Sequence, residues 1–322
     1  MKKSRRQIIT GALAACVLVF LSGPRIDRNE TLQPLHLPES AKDLPDYLNQ
    51  RESQYTDLVP GTEKTILWAG EPGEQTEFSL VFLHGFSASH QEIAPIPETL
   101  AKHLQANLFL TRFTGHGRGP EGMREGNVNR WLNDANEALQ MGRRLGEKVI
   151  VMAVSTGGSA ATWLAAQPDS HLHALILVSP NYGIQNKLAR LMTWPWGNLL
   201  LRAVQGPYRE WQPLNKDQAT YWTWRYPSQA LLPMMGMITL TEGLPFEDIT
   251  TPTLMIYHPE DQVVDSTITD TIFQRLGSTH KQHWVYTDTQ DPDKHVLMGD
   301  IVSPGSTAAV LPKMLQFLQT LD

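Results

Sequence analysis

Short apolar runs that alternate with helix-patterned stretches limit this chain to few architectures. The runs are SLVFLH (79–84), NLFLTRF (107–113), VIVMAV (149–154), ALILVS (174–179), TLMIY (253–257) and HWVY (283–286). They are apolar throughout rather than at every second position, as expected of strands buried on both faces. Between them lie segments with helical spacing. One contains Leu100 and Leu104, and another repeats Val128, Trp131, Leu132, Ala135, Ala138 and Leu139. A small-residue segment stops at Gln167 before Pro168, another spans about 266–276, and Leu311, Met314, Leu315 and Leu318 form a closing stripe. Strand and helix in turn predict an α/β fold, a mostly parallel central sheet with helices on both faces. Functional side chains of such sheets stand in loops at the carboxyl ends of strands.

Ser155 stands at one such end. The run VIVMAV breaks into Ser155, Thr156, Gly157 and Gly158, followed by more small residues. A serine here can cap the following helix. It can equally be a nucleophile held on a strained turn, with its hydroxyl lifted above the sheet. A second interruption is longer. From 181 to 247 no buried strand is evident, and the stretch is crowded with Trp194, Trp196, Trp211, Trp222, Trp224, Met192, Met234, Met235 and Met237. A structureless loop of that length is improbable in a compact domain, so a helical insertion over one end of the sheet is expected.

Composition excludes several classes. The chain has 322 residues, 41% hydrophobic and 19% charged, as in a folded globular protein. Its formal net charge is −6, and the four cations Lys2, Lys3, Arg5 and Arg6 stand at the start. The remainder is therefore near −10, which argues against a nucleic-acid partner. There is no H-E-x-x-H, no cysteine cluster and no phosphate-binding loop, so neither a metal nor another cofactor is expected. The single cysteine, Cys16, rules out an internal disulfide.

That cysteine lies in an apolar run, 8–21, behind the basic start, the layout of an export signal. The run is short of the ~30 Å hydrocarbon core and would span it only marginally. LAAC (13–16) resembles the lipobox of bacterial lipoproteins, although VLVFL follows where such proteins turn polar, and SRRQII (4–9) faintly resembles a twin-arginine signal. Uncleaved anchor, lipoprotein with Cys16 lipidated, and cleaved signal remain three readings. The first two tether the protein to a membrane, and the positive-inside rule sends the folded part of an anchored chain outward. Residues 22–60, rich in proline and polar side chains, read as a linker with one short helix near 44–50.

The motifs LHGF (83–86), RFTGHGRG (112–119), AVSTGG (153–158), HPEDQVV (258–264) and DKHVLMGD (293–300) resemble those of the α/β-hydrolase superfamily. The resemblance covers roughly 65–320 and is to the serine-hydrolase branch of monoacylglycerol lipases, carboxylesterases and serine aminopeptidase-like members. Its G-x-S-x-G elbow reads Ala153-Val154-Ser155-Thr156-Gly157 here, with alanine for the first glycine. The resemblance implies Ser155 as nucleophile, His295 as base and Asp261 as the acid that orients it, with Glu260 and Asp265 as rivals in the same loop. It also implies backbone N–H donors for an oxyanion at Phe86 and Thr156, with His84 shaping their loop and His116 near the pocket. His258 precedes the acid loop as a possible supporting group, and the other histidines are read as packing or surface residues.

The implied organisation is an N-terminal signal or anchor (1–24), a linker (25–60), a hydrolase core (61–180 and 248–322) and a cap insertion (181–247). Within the cap, Trp194, Trp196, Trp222 and Met234 are candidates to line an acyl pocket, or simply to pack the cap onto the sheet. The function expected is a serine hydrolase of lipophilic carboxylic esters, tethered in a bacterial cell envelope with its catalytic domain on the periplasmic side. Peptidase or acyltransferase chemistry on the same residues, and a non-catalytic lipid-binding protein, are the alternatives.

Overall fold

The protein, seen in a computed structural model, is described over residues 2–321. Its strands are β1 (Thr65–Leu67), β2 (Thr76–Leu83), β3 (Asn107–Leu110), β4 (Gly146–Val154), β5 (Ala174–Val178), β6 (Tyr208–Glu210), β7 (Arg225–Pro227), β8 (Thr253–Tyr257) and β9 (Lys281–Val285). Its helices are α1 (Lys2–Leu21), α2 (Leu44–Glu52), α3 (Ile96–Leu104), α4 (Val128–Leu145), α5 (Ser155–Ala165), α6 (Gly197–Gln205), α7 (Lys216–Tyr221), α8 (Leu231–Thr241), α9 (Ser266–Arg275) and α10 (Ser306–Gln319). The main sheet runs β1-β3-β2-β4-β5-β8-β9. Only β1, at one edge, is antiparallel.

The apolar runs behave as their composition requires. On β2 and β4, Val81, Leu83, Val149, Val151 and Ala153 face a core built with α4, α5 and α8. Their neighbours Leu80, Phe82, Ile150, Met152 and Val154 face the opposite core, built with α3 and α10. Alternation at period two thus buries both faces, and no polar residue is needed on either side.

The NLFLTRF run is shorter as a strand than its apolar length suggests. Beyond Leu110, Arg112 turns away and donates to both oxygens of Glu52 at 2.8 Å, while the Phe113 N–H donates to His84 Nε2 at 3.1 Å. Glu52 also accepts the Lys64 N–H, and the Lys64 ammonium is buried between Asp134 and Glu137. This ionic cluster ties α2 and the approach to β1 onto α4.

Residues 181–247, expected as a cap, contain helices α6, α7 and α8 and also a feature that sequence reading missed, the antiparallel ribbon β6–β7. Its three-residue strands are too short to show a period. Helix α8 is continuous with the core, where Met234, Met235, Met237 and Ile238 are buried with residues of α4 and α5. Residues 25–40 form neither helix nor strand but are pinned in place: the Gln33 N–H donates to Asn133 Oδ1 at 2.7 Å, and Trp163 Nε1 donates to Glu30 Oε2 at 2.7 Å. Among the described residues no helix is long and apolar enough to cross a membrane.

Candidate active site

Strand β4 ends at Val154, and Ser155 opens α5 with φ +49°, the left-handed region that a non-glycine residue enters only under constraint. The constraint is close packing. A Cβ on Gly157 would stand 2.6 Å from the His84 carbonyl oxygen and nearer still to that of Leu83, and one on Gly158 would stand 2.8 Å from Pro180 Cβ. Both glycines are therefore required. Ala153 is not so crowded. It lies within β4, paired with Leu83 and Leu177, and its methyl joins the apolar core, so the missing first glycine leaves the turn intact.

The turn directs Ser155 at the loop after β9. Ser155 Oγ lies 3.0 Å from His295 Nε2, and His295 Nδ1 lies 2.7 Å from Asp261 Oδ2. The other Asp261 oxygen accepts the N–H groups of Val263 and Val264 at 2.7 and 2.9 Å. Each carboxylate oxygen thus has a fixed task. Asp291 Oδ2 accepts the backbone N–H of His295 and of Val296, and the Ser179 hydroxyl donates to the His295 carbonyl, so the histidine loop is held from two sides. Burial pulls the imidazolium pKa down, but the charges of Asp261, Glu92 and Asp291 outweigh it and leave His295 above its ordinary value.

Asp261's rivals are engaged elsewhere. Glu260 is exposed and paired with Lys294, and Asp265 caps the N-terminus of α9 and pairs with Lys187. His258 accepts the Glu260 N–H through Nδ1, which shapes the acid loop.

Phe86 and Thr156 flank the serine from two elements, and among the described residues neither backbone N–H is donated to an acceptor. Their loop is braced by His84, whose Nε2 accepts from Phe113. Its Nδ1 therefore carries the proton and donates to the Gly85 carbonyl at 2.9 Å. Burial and the neighbouring His116 hold His84 well below its ordinary pKa, so it stays neutral. His116 packs against His84, Phe86 and Trp131, and burial pushes it down to about 4. A cavity of about 10 Å³, bounded by Phe86, Phe113, Trp131, Thr156, Ala160 and Met237, adjoins this loop.

The four cap candidates separate. Trp194 is 54% exposed and meets Phe20 of α1 edge-on, and Trp196 donates through Nε1 to the Val19 carbonyl. These two, expected at an acyl pocket, instead seat the N-terminal helix. Met234, on α8, packs into the core with α4 and α5, and Trp222 is buried in the opposite core, beside the Thr223 N–H to Ser87 carbonyl hydrogen bond that joins residues 181–247 to the loop after β2. Cys16 lies exposed on α1. His90, read as a packing or surface residue, is buried.

Glu92 escaped sequence reading. It stands in the turn before α3, and its Oε2 accepts the Gly85 N–H at 2.7 Å. Nothing in HQEI marks a carboxylate that folds back seven residues into the site.

Comparison with known proteins agrees with this architecture. The family model described as serine aminopeptidase, S33, matches residues 74–233. A thermostable monoacylglycerol lipase of Bacillus sp. (strain H-257) is 24% identical over 220 residues, which cover 67% of this chain and 84% of that one. A structure from work on LipS and LipT, two metagenome-derived lipolytic enzymes, superposes with TM-score 0.67 at 18% identity, over 82% of this chain and 99% of that chain. The monoacylglycerol lipase of Paleococcus ferrophilus superposes with TM-score 0.57 at 14% identity, over 80% and 98%. The chain belongs to the α/β-hydrolase superfamily, among its serine hydrolases.

Proposed function

We propose that this serine ester hydrolase cleaves carboxylic esters of lipophilic acyl groups, such as a monoacylglycerol or a lysophospholipid, through an acyl-enzyme on Ser155. The observation that carries the reading is the hydrogen-bonded row from Ser155 through His295 to Asp261, set on a turn that strains the serine. A serine hydroxyl is a weak nucleophile unless a base takes its proton. Here Ser155 Oγ attacks the ester carbonyl as its proton passes to His295 Nε2. The carbonyl oxygen becomes an oxyanion facing the Phe86 and Thr156 N–H groups, each worth about 2.7–4 kcal/mol in such sites. Collapse breaks the C–O bond, and the alcohol leaves with the proton from His295. Water, deprotonated by the same imidazole, then attacks the acyl-enzyme and releases the acid and Ser155.

Two observations support a lipophilic substrate. The space beside the oxyanion loop is bounded mainly by apolar side chains, and curated and solved relatives include monoacylglycerol lipases. At about 10 Å³ that space admits no more than a water, so an acyl chain enters only when the cap shifts. We also propose that the protein works tethered in a bacterial cell envelope, its catalytic part on the periplasmic face. Support comes from the basic start of the chain, and from exposed Leu13, Val17 and Leu18 on α1, a helix whose Val19 and Phe20 meet Trp196 and Trp194. An uncleaved N-terminal anchor or lipidation of Cys16, which lies exposed on α1, supplies the tether in this reading.

Fluorophosphonate labelling of the native protein beside Ser155→Ala tests the nucleophile, and esters of increasing chain length test the substrate class. Labelling that vanishes in the variant, with turnover rising toward long chains, is the expected result. Preference for acetate removes the lipid reading, preference for aminoacyl anilides favours a peptidase, and an unlabelled native protein favours a ligand-binding role. Mass spectrometry of Cys16 from the envelope fraction tests the lipid tether.

A further inference from the structure

We infer that Glu92 is a second acidic group of the active site, a positioning residue that acts on the oxyanion loop through Gly85 and on the base through its charge. The inference deepens the proposed function and rests on its reading of Ser155 and His295.

The geometry comes first. Glu92 is 3% exposed, and among the described residues no lysine or arginine pairs with it. Burying a carboxylate without a cation is costly, so the few partners it has matter. One is the Gly85 N–H, at 2.7 Å from Oε2. Oε1 accepts no hydrogen bond among the described residues. A Cβ built on Gly85 would lie 2.8 Å from Glu92 Oε1 and 3.1 Å from Ser155 Cβ, so glycine, carboxylate and nucleophile converge on one spot. Only a glycine fits between them. The peptide gripped in this way immediately precedes Phe86, one of the two oxyanion donors, and a shift of Gly85 would turn that donor away.

The second influence is electrostatic: Glu92 meets Gly85 beside Ser155, whose Oγ lies 3.0 Å from His295 Nε2, so its charge stands near the base without touching it. Burial raises the Glu92 pKa to about 7, against the opposing pull of the Gly85 N–H and of His295, and the Glu92 charge in turn favours the imidazolium. The other charged groups acting on His295 are Asp261 and Asp291, and Asp293 lies within its influence. On the Glu92 side, His90 of the same turn, His84 and His116 are held neutral by burial. Asp261 and Asp291 are occupied in hydrogen bonds that orient the ring and its loop. Glu92 touches neither, and it adds negative charge at the site when Ser155 hands over its proton. Base strength and oxyanion-loop position are thereby linked through one side chain.

The test separates charge from hydrogen bonding and does not depend on turnover alone. Glu92→Gln keeps an acceptor for Gly85 and removes the charge, and Glu92→Ala removes both. His295 is titrated by NMR in protein labelled with ¹⁵N-histidine, and the pH profile of kcat/KM is measured with p-nitrophenyl butyrate. In Glu92→Gln the His295 pKa is expected to fall by about one unit, with the acid limb of kcat/KM moving down with it. In Glu92→Ala the same fall is joined by a loss in kcat of roughly 100-fold, with KM within about threefold. A His295 titration unchanged in both variants overturns the inference, whatever the activity. If the NMR shift appears but no ester is turned over by the native protein, the inference about Glu92 stands and the ester-hydrolase reading fails.

Discussion

Asp261 meets His295 with one carboxylate oxygen, 2.7 Å from Nδ1, and spends the other on two backbone N–H groups of its own loop. The first bond fixes the proton on Nδ1 and leaves Nε2 free to accept from Ser155. The second stops the carboxylate from rotating. Asp261→Asn keeps the shape but can present an N–H to Nδ1, which selects the wrong tautomer. A loss of about 10⁴ in kcat, with KM little changed, is expected from steady-state kinetics. Glu260→Gln, in the same loop but turned to Lys294, should stay within about twofold of the native enzyme. Equal losses in the two variants would remove Asp261 from the role given to it.

The elbow glycines are predicted to be unequal. Gly157→Ala drives a methyl into the carbonyls of Leu83 and His84, both part of or next to β2, and backbone cannot move aside cheaply. Loss of soluble protein, or a stability loss of roughly 3 kcal/mol or more in urea unfolding, is expected. Ala153→Gly restores the family's glycine, yet it removes a methyl from the core and adds backbone freedom in a strand. It should cost about 1 kcal/mol and bring no gain in kcat. A large activity gain would show that the alanine does strain the turn.

The sheet was legible because its strands are buried on both faces, so their composition alone marks them. The serine turn was legible because strand, hydroxyl and small residues stand together in the chain. What escaped detection depends on distance. The β6–β7 ribbon is too short for a pattern, and the NLFLTRF run stops early because Arg112 has a partner 60 positions away in Glu52. Trp194 and Trp196 carry the composition of a pocket lining but face α1, since aromatic content says what a side chain prefers and not which apolar neighbour it finds. Glu92 shows the same limit: a charged residue in a turn normally reads as solvated, and only the folded chain brings it to Gly85.

Lys64 makes a further prediction about stability. Its ammonium is buried between Asp134 and Glu137, and despite burial those carboxylates keep its pKa above the ordinary value. Lys64→Met would leave two buried acids facing each other without a cation. A loss of roughly 3–5 kcal/mol is expected in urea unfolding at neutral pH. Adding Glu137→Gln should recover part of it, because one of the stranded charges is gone. No recovery would mean that lost packing of the lysine stem, and not charge, sets the cost.

Acid should destabilise the protein well before its carboxylates are protonated. Burial lowers His90 and His116 to about 4 and His84 well below its ordinary 6.5, so on acidification the unfolded chain binds these protons first. Stability is then greatest above pH 6.5 and falls between 6.5 and 4, by at most about 1.4 kcal/mol per pH unit for each histidine. Glu92 has the opposite sign. With a folded pKa of about 7 against 4.5, it takes its proton first in the native state and adds stability as pH falls through 7. His295, raised above its ordinary value, likewise gains on acidification, but above pH 6.5. Three histidines against one glutamate leave a net loss between pH 6.5 and 4.5. Urea midpoints, measured at pH 8 as well, should therefore fall from pH 6.5 through 5.5 to 4.5. In Glu92→Gln the fall should be steeper, and the pH 8 midpoint higher than in the native protein, because a buried carboxylate no longer has to be charged there. A native midpoint that rises from pH 6.5 to 5 would mean that the three rings are not buried neutral in solution.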